Sequence, residues 1–314
     1  MADIVISEFM DEAALREGFS GFDVLYDPAL VDHPDDLAAA VREARTLIVR
    51  NRTRVDRALL ERAPALSCIG RLGVGLDNID TAACEARGVA VYPATGANDV
   101  SVAEYVITAA MVLLRGAYAA TSDVIAGAWP RSRLMGREIS GKRLGLVGFG
   151  SIARETAKRA AALDMAVTAH DPFVPPEHPA WSQPYGRVVR LALDELLATA
   201  DVVSLHVPLT PDTRNLIDTA ALRRMKAGAV LINAARGDVV DEAAVASALR
   251  EGRLGGAALD VFEEEPLSAE RAKKIFAGCP NLVLTPHVAG VTQESNVRVS
   301  WVTVENVRRH LERL

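Results

Sequence analysis

Short apolar runs rich in β-branched residues alternate with helix-like segments along almost the whole chain. This alternation is typical of parallel α/β architecture, because each return to a parallel strand needs a crossover that is usually a helix. The first set of predicted strands is Ile4–Ser7, Asp23–Tyr26, Leu47–Arg50, Leu66–Ile69 and Val89–Tyr92, with predicted helices such as Asp35–Ala44 and Asp56–Glu61. The second set is Leu144–Val147, Ala166–His170, Val202–His206, Val230–Asn233, Ala257–Val261 and Leu282–Leu284.

One long apolar segment joins the two sets of strands. We predict a single helix over Ser101–Ile125, with Ser101 and Glu104 forming a capping box and a largely buried surface behind them. A last helix is predicted from about Gln293 to Leu311. Because 314 residues exceed the usual size of one domain, two domains are expected. The pattern alone allows two consecutive units, or a C-terminal helix that returns to the first unit.

Charge and composition exclude several classes of function. The formal net charge of −6 argues against nucleic acid or an anionic membrane as the main partner, since both need a basic face. The segment Met1–Ser7 lacks the basic and apolar parts of a signal peptide, and the most apolar stretch, Val102–Leu114, is too short to span a bilayer. Cys68, Cys84 and Cys279 are widely spaced, so neither a disulfide framework nor a metal site is expected. We therefore expect a cytoplasmic protein with no nucleic-acid or membrane partner.

A glycine-rich turn follows the first strand of the second set. The apolar run Leu144–Val147 leads directly into Gly148-x-Gly150-x-x-Ala153 and then into a helix. The first glycine permits a tight turn, the second lets the backbone approach a pyrophosphate, and the alanine allows close helix–strand packing. The helix N-terminus adds amide donors and a positive dipole end. Asp171 ends the next strand, where a carboxylate binds ribose hydroxyls and repels a 2′-phosphate. The motif predicts an NAD site.

Candidate catalytic residues follow three later strands of the same set. They are Arg236, Glu265 and His287. Open α/β sheets bind their ligands beyond the carboxyl ends of their strands, so these side chains are expected to lie close together. Arginine binds a carboxylate with two parallel hydrogen bonds, and histidine titrates near neutral pH, which suits an acid/base. A glutamate bonded to the imidazole would fix its tautomer. These residue types predict oxidation of a 2-hydroxy acid by hydride transfer to a nicotinamide.

Further motifs extend the pattern over essentially the whole chain. They are Gly70–Asp80, Ser101–Glu104, Val147–Ile152, His206–Thr210, Asn233–Gly237, Asp260–Phe262 with Glu265-Pro266, and Thr285–His287. Together they resemble the D-isomer-specific 2-hydroxyacid dehydrogenase family. The resemblance implies that Arg236 anchors substrate, that His287 is the acid/base oriented by Glu265, and that Asp260 holds the nicotinamide amide. It also implies a substrate site that includes Asn98 and the backbone around Val74 and Gly75.

The family resemblance also implies an arrangement of domains. We expect two Rossmann-like, doubly wound parallel-sheet domains, in which the NAD-binding domain, residues 100–287, is inserted into a flavodoxin-like substrate domain, residues 1–99 plus 288–314. Members of this family are usually homodimers built through the cofactor domains. The implied cofactor site is lined by Gly148, Gly150, Ser151, Ile152, Asp171, Val207, Pro208, Thr213, Ala234, Ala235, Arg236, Asp260, His287 and Gly290.

Arginines near strand ends bear on the choice of substrate. Arg50, Arg52 and Arg71 follow or end strands of the first set, in a protein that is acidic as a whole. Because Arg236 already serves the substrate carboxylate, these arginines favour a second anionic group on the substrate. The alternative interpretation is that these arginines are solvated and form ion pairs. Within the family, the pattern is similar to the branches that act on 3-phosphoglycerate and on (S)-3-sulfolactate, and the segments Ile6–Glu12 and Pro93–Asp99 favour the latter.

Our preferred hypothesis is the conversion of (S)-3-sulfolactate to 3-sulfopyruvate with NAD. A 3-phosphoglycerate dehydrogenase and a glyoxylate or hydroxypyruvate reductase are the alternatives among enzymes. An NAD(H)-sensing binding protein of the same fold is an alternative of another class, and it would have no need of an intact Arg236, Glu265 and His287.

Overall fold

Two parallel sheets organise the structure, a computed structural model that describes residues 2–313. The chain divides into two compact units, Met1–Asn98 with Val291–Leu314 and Asp99–Gly290. The C-terminal helix therefore belongs to the same unit as the first strands. Of the two chain paths that the sequence pattern allowed, the structure has the one in which this helix returns to the first unit. The α/β fold with parallel sheets confirms the predicted fold class.

The first unit holds a five-stranded sheet in the order β2-β1-β3-β4-β5, with every pair parallel. Its strands are β1 (Ile4–Ile6), β2 (Val24–Tyr26), β3 (Thr46–Val49), β4 (Cys68–Arg71) and β5 (Ala90–Pro93). Its helices are α1 (Glu12–Gly18), α2 (Pro34–Ala40), α3 (Arg57–Arg62), α4 (Thr81–Ala86) and, from the chain end, α12 (Gln293–Leu311). This is the flavodoxin-like strand order, in which the chain changes direction beside β1.

Two apolar clusters stabilise the sheet of the first unit. Helices α1 and α12 cover one side of it, where Ile4, Ile6 and Ile48 pack with residues of α12 such as Val304 and Val307. On the other side, β-strand residues pack with the apolar positions of α2, α3 and α4. Helix α12 begins with a capping box formed by Thr292 and Ser295, which satisfies amides that a helix N-terminus otherwise leaves without partners.

The second unit holds a seven-stranded sheet in the order β10-β7-β6-β11-β12-β13-β14. Its strands are β6 (Arg143–Val147), β7 (Ala166–His170), β10 (Val189–Arg190), β11 (Val202–Leu205), β12 (Val230–Asn233), β13 (Gly256–Leu259) and β14 (Leu282–Leu284), with β8 (Ser182–Gln183) and β9 (Gly186–Arg187) forming a separate hairpin. Its helices are α5 (Asp99–Arg115), α6 (Thr121–Ile125), α7 (Ser151–Ala162), α8 (Leu193–Thr199), α9 (Thr219–Arg224), α10 (Glu242–Arg250) and α11 (Ala269–Phe276). The order is that of a Rossmann fold, with its switch point between β6 and β11.

The long helix predicted over Ser101–Ile125 is wrong in extent. Helix α5 begins at Asp99, so Ser101 lies inside its first turn and the predicted capping box does not form. The helix ends at Arg115 because Gly116 adopts a left-handed conformation with φ 62°, and the chain continues as the 3₁₀ turn Ala117–Ala120 and α6. Among the described residues, no single helix is long and apolar enough to cross a membrane, and α5 with the helical turns after it passes that test only as a pair bent by 64°.

Candidate active site

Three neighbouring strands of the second sheet carry the predicted catalytic residues. Arg236 follows β12, Glu265 lies in the segment after β13, and His287 follows β14. Because β12, β13 and β14 are adjacent and parallel, their carboxyl ends meet at one edge of the sheet. The charges of Arg236 and His287 both lower the pKa of Glu265, because the structure brings the three side chains together.

A short hydrogen bond joins Glu265 and His287. His287 Nδ1 lies 2.7 Å from Glu265 Oε2, and the backbone amide of Phe262 donates to Glu265 Oε1 at 3.0 Å. Burial of Glu265 opposes ionisation, but the bonds from His287 and Phe262 and the charge of Arg236 hold the pKa of the carboxyl below its ordinary value. A charged Glu265 therefore engages one ring nitrogen of His287, while the imidazole stays partly exposed.

The backbone of His287 is held in an uncommon conformation. Its φ of 55° lies in the left-handed region, which costs an L-residue about 1–2 kcal/mol. The His287 amide donates to the Asp260 carbonyl at 2.8 Å. The Asp260 carboxylate accepts the Thr285 hydroxyl at 2.6 Å and the amides of Val288 and Ala289 at 2.9 and 2.8 Å. Asp260 is only 1% exposed, so this buried carboxylate fixes the turn that presents His287.

The turn that carries Arg236 is tied down by Asn233, the last residue of β12. The side-chain amide of Asn233 donates to the Arg236 carbonyl at 2.9 Å, and its oxygen accepts the Ala235 amide at 3.1 Å. Arg236 Nη1 in turn donates to the Ala235 carbonyl at 2.5 Å. Our sequence interpretation did not recognise Asn233 as part of the site. Asn233 is 1% exposed. An amide side chain at the end of an apolar strand was the available signal, because a buried amide needs hydrogen-bond partners.

Gly237 allows the turns after β12 and β13 to touch through their backbones. A Cβ atom at this position would lie 1.9 Å from the Phe262 carbonyl carbon and 2.5 Å from the Glu263 amide nitrogen. No side chain fits between the two turns. The glycine after the predicted substrate anchor therefore sets the distance between the turn that carries Arg236 and the segment that leads to Glu265.

The glycine-rich turn has the shape that a dinucleotide requires. Gly148 has φ 89°, and a Cβ atom there would lie 2.7 Å from the carbonyl oxygen of His206. A Cβ atom at Gly150 would meet open space, and no side chain caps helix α7, which begins at Ser151. The uncapped amides and the positive dipole end of this helix face the space that Gly150 leaves clear, as binding of a pyrophosphate needs.

Asp171, directly after β7, accepts hydrogen bonds from two backbone amides. Its Oδ2 accepts the Phe149 amide at 2.8 Å, and its Oδ1 accepts the Phe173 amide at 2.9 Å. The carboxylate thus braces the glycine-rich turn from within the same unit. Ser151, at the start of α7, is hydrogen-bonded to the buried Asp99, whose pKa is raised by burial. The residues present therefore fit an adenine dinucleotide, with Asp171 available to ribose hydroxyls.

The remaining predicted cofactor residues lie along the same sheet edge. Val207 and Pro208 follow β11, where the Thr213 hydroxyl donates to the Pro208 carbonyl at 2.6 Å and closes the loop. His206 beside them is partly buried next to Ser204, and its withdrawal from solvent lowers its pKa to about 4, which keeps it neutral at pH 7. Three further predicted positions follow strands at this edge: Ala234 and Ala235 come after β12, and Gly290 ends the unit. Ile152 lies in the first turn of α7.

The predicted substrate arginines belong to the first unit. Arg52 forms an ion pair with Asp32 and is exposed. Arg50 is largely withdrawn from solvent and donates to Asn296 Oδ1 at 2.7 Å, with its guanidinium 5.9 Å from the centre of the Phe9 ring. Burial lowers the pKa of Arg50, and the nearby Glu8 opposes this effect. Only Arg50 of these two therefore keeps a charge without an ion pair among the described residues.

Glu8 organises the loop that holds both arginines, and sequence reasoning missed it. This buried carboxylate accepts the amides of Arg50 and Thr53 through Oε1, at 2.8 and 2.9 Å, and those of Asn51 and Arg52 through Oε2, at 3.3 and 3.1 Å. Arg71, at the end of β4, donates to the carbonyls of Gly75 and Leu72. Val74, Gly75 and Asn98 complete the predicted substrate set, and all lie in the first unit.

Fold and side chains together define a nicotinamide-dependent dehydrogenase. Residues 107–289 match the family model of the D-isomer specific 2-hydroxyacid dehydrogenase, NAD binding domain. The chain is 58% identical over 311 residues to an (S)-sulfolactate dehydrogenase of Chromohalobacter salexigens, covering 99% of both. It is also 39% identical to a D-3-phosphoglycerate dehydrogenase of Archaeoglobus fulgidus over 87% of this chain, which spans only 50% of that relative.

A solved structure supports the same assignment. The D-lactate dehydrogenase of Aquifex aeolicus complexed with NAD and lactic acid superposes with a TM-score of 0.83 at 27% identity, over 98% of this chain and 95% of the other. The chain belongs to the D-isomer-specific 2-hydroxyacid dehydrogenase family, and its cofactor is NAD. This confirms the family, the reaction class and the cofactor expected from the motifs.

We propose that Asp171 also sets the preference for NAD over NADP. The variant Asp171→Asn removes the charge while keeping an oxygen that can accept one of the two amides. Its ratio of kcat/KM with NAD to that with NADP is expected to fall at least tenfold, because a carboxylate repels the 2′-phosphate. Asp164→Asn, at the exposed turn before β7, is the matched control. An unchanged ratio in Asp171→Asn would assign the discrimination to another group.

Proposed function

We propose that this enzyme oxidises a 2-hydroxy acid that carries a second anionic group, with (S)-3-sulfolactate giving 3-sulfopyruvate as the preferred reaction. The observation that carries the proposal is the 58% identity to an (S)-sulfolactate dehydrogenase over 99% of both chains. The paired Glu265 and His287 at 2.7 Å support the chemistry. A D-3-phosphoglycerate dehydrogenase is the second candidate, since several relatives with that name match about 88% of the chain.

The roles of the three catalytic residues follow from their chemistry. Oxidation removes a proton from the substrate hydroxyl and a hydride from the neighbouring carbon, leaving a 2-oxo acid. We assign proton removal to the Nε2 edge of His287, because Nδ1 is already bonded to Glu265. The charged Glu265 stabilises the imidazolium that forms. Arg236 binds the substrate carboxylate with its planar guanidinium. Bound NAD would supply the hydride acceptor.

The other residues of the site bind and orient the cofactor. The amides at the start of α7 would hold the pyrophosphate, and Asp171 the ribose hydroxyls. Asp260 would hold the carboxamide group, because Oδ2 accepts the Ala289 amide and a carboxylate oxygen can accept a second hydrogen bond. We assign the NAD-binding domain to residues 100–287 and the substrate domain to residues 1–99 plus 288–314.

We also propose a cytoplasmic homodimer without a membrane or nucleic-acid partner. The segment from Ala117 to Met135 exposes large apolar side chains, with Ile125 82%, Trp129 75% and Met135 83% accessible. Apolar groups concentrated in this way mark an interface, and a second copy of the chain is the partner typical of the family. Ile125→Glu is expected to halve the mass that light scattering measures for the wild-type protein. A monomeric wild type would contradict the proposal.

The proposed reaction is tested by following NAD reduction with both enantiomers of sulfolactate, 3-phosphoglycerate, glycerate, lactate and malate. We expect the highest kcat/KM with (S)-3-sulfolactate, and at least a hundredfold loss of kcat in His287→Ala with NADH binding unchanged. His178→Ala, in the same unit and outside the predicted site, is the control. Preference for 3-phosphoglycerate would select the second candidate. NADH binding without turnover on any acid would indicate a sensing protein.

The proposed second anion site predicts different effects for Arg50 and Arg52. Arg50→Gln should raise KM for sulfolactate at least tenfold more than KM for lactate, because its charge has no ion-pair partner among residues 2–313. Arg52→Gln should have the smaller effect, since Asp32 already neutralises that side chain. Steady-state kinetics with both acids measures the difference. Equal changes for both acids in Arg50→Gln would remove the second anion from the proposal.

A further inference from the structure

Glu242 is a buried carboxylate outside the set of residues assigned to the reaction. It lies at the start of α10, with an exposure of 2%, where most glutamates would face solvent. Burial of a charged carboxylate is costly unless hydrogen bonds replace the lost water. The structure supplies two such bonds. Oε1 accepts the Glu263 amide at 2.9 Å, and Oε2 accepts Arg271 Nη2 at 2.9 Å.

Arg271 extends this contact into a cluster. The arginine lies on α11 and also pairs with the Glu263 side chain, so its guanidinium bridges two carboxylates. Its Nε is buried without a hydrogen-bond partner within the described part of the chain. The guanidinium is held by the two glutamates, and it binds one oxygen of Glu242 while the Glu263 amide binds the other.

The segment that Glu242 binds leads directly to Glu265. Its hydrogen bond fixes the amide of Glu263, and the neighbouring amide of Phe262 donates to Glu265 Oε1 at 3.0 Å. The same segment is pressed against Gly237, where even one added methyl group would clash. The backbone at residues 262–263 is thus bound by Glu242 and packed against Gly237, and its Phe262 amide binds the Glu265 carboxylate that is paired with His287.

We propose that Glu242 is a positioning residue, which holds the Phe262–Glu263 backbone so that Glu265 stays within hydrogen-bond distance of His287. The inference rests on the proposed roles of Glu265 and His287, but not on the identity of the hydroxy acid. Loss of the anchor lets the Glu265 carboxylate move away from the ring. Displacements of about 1 Å in a catalytic group reduce rates by up to about a hundredfold.

The test is a double-mutant cycle between Glu242→Gln and Glu265→Gln, using the acid of the panel that the wild type oxidises fastest. Single-turnover NADH formation isolates the chemical step. We expect Glu242→Gln alone to slow this step on the order of tenfold, and to slow it less than twofold when Glu265→Gln is already present. NADH binding, followed by fluorescence, and KM should change less than threefold.

A pH profile separates positioning from a general loss of structure. When the carboxylate no longer stabilises the imidazolium, the acidic limb of kcat/KM for oxidation moves to lower pH. We expect Glu242→Gln to move this limb in the same direction as Glu265→Gln. The matched control is Glu251→Gln at the other end of α10, which bonds only Ser247 and is exposed. Arg271→Gln should reproduce the effect of Glu242→Gln.

Three outcomes would overturn the inference. Multiplicative rate losses in the double variant would mean that Glu242 acts independently of Glu265. Unchanged turnover and pH profile in Glu242→Gln would leave it a role in stability alone, which thermal unfolding of the variant measures. Full activity in Glu265→Gln would overturn the proposed role of Glu265 and the inference together. The single Glu265→Gln variant therefore distinguishes failure of the proposed chemistry from failure of the inference.

Discussion

The hydrogen bonds accepted by the buried carboxylate of Asp260 are the interactions on which the arrangement of the candidate active site depends. Its three hydrogen bonds to Thr285, Val288 and Ala289 fix a turn whose central residue, His287, has a left-handed backbone. Bonds from amides to a charged oxygen are about twice as strong as those between neutral groups, which is enough to offset the conformational cost of about 1–2 kcal/mol. Without this carboxylate those three bonds would no longer offset the cost of the left-handed backbone that presents His287 to Glu265.

In both units, an acidic side chain accepts hydrogen bonds from backbone amides of a loop. Glu8 binds four consecutive amides after β3, Asp171 binds two amides around the glycine-rich turn, and Glu242 binds the amide of Glu263. Loops beyond strand ends cannot pair their backbone groups in the sheet, and buried amides need partners. An acidic side chain that remains partly or fully buried satisfies several amides at once. Several of the acidic side chains near the site thus stabilise loops.

The sequence predicted the regular parts of the fold well because they are governed by local patterns. All the predicted strands exist, with ends displaced by a residue or two, and the predicted final helix matches α12. The extent of the Ser101–Ile125 helix was wrong, since Gly116 was not recognised as a helix end. Strands β8, β9 and β10 are too short for a periodic pattern to reveal. The motifs predicted that Arg236, Glu265 and His287 would lie close together, and the structure places them so. Glu8, Asn233 and Glu242 were missed because each acts by binding backbone groups of a loop, and which backbone groups lie nearby depends on the folded structure.

The two arginines that follow β3 differ in how their charges are balanced. Asp32 neutralises Arg52, whereas Arg50 has a neutral partner in Asn296 and a face against Phe9. A guanidinium withdrawn from water binds an anion more strongly than an exposed one, because less hydration is lost and the local dielectric constant is lower. Glu8 stabilises the charge on Arg50, and its two oxygens also accept four backbone amides of the loop after β3. The proposed selection of a sulfonate or phosphate over an uncharged group therefore rests on the partly buried Arg50, whose backbone amide is bound by the buried carboxylate of Glu8.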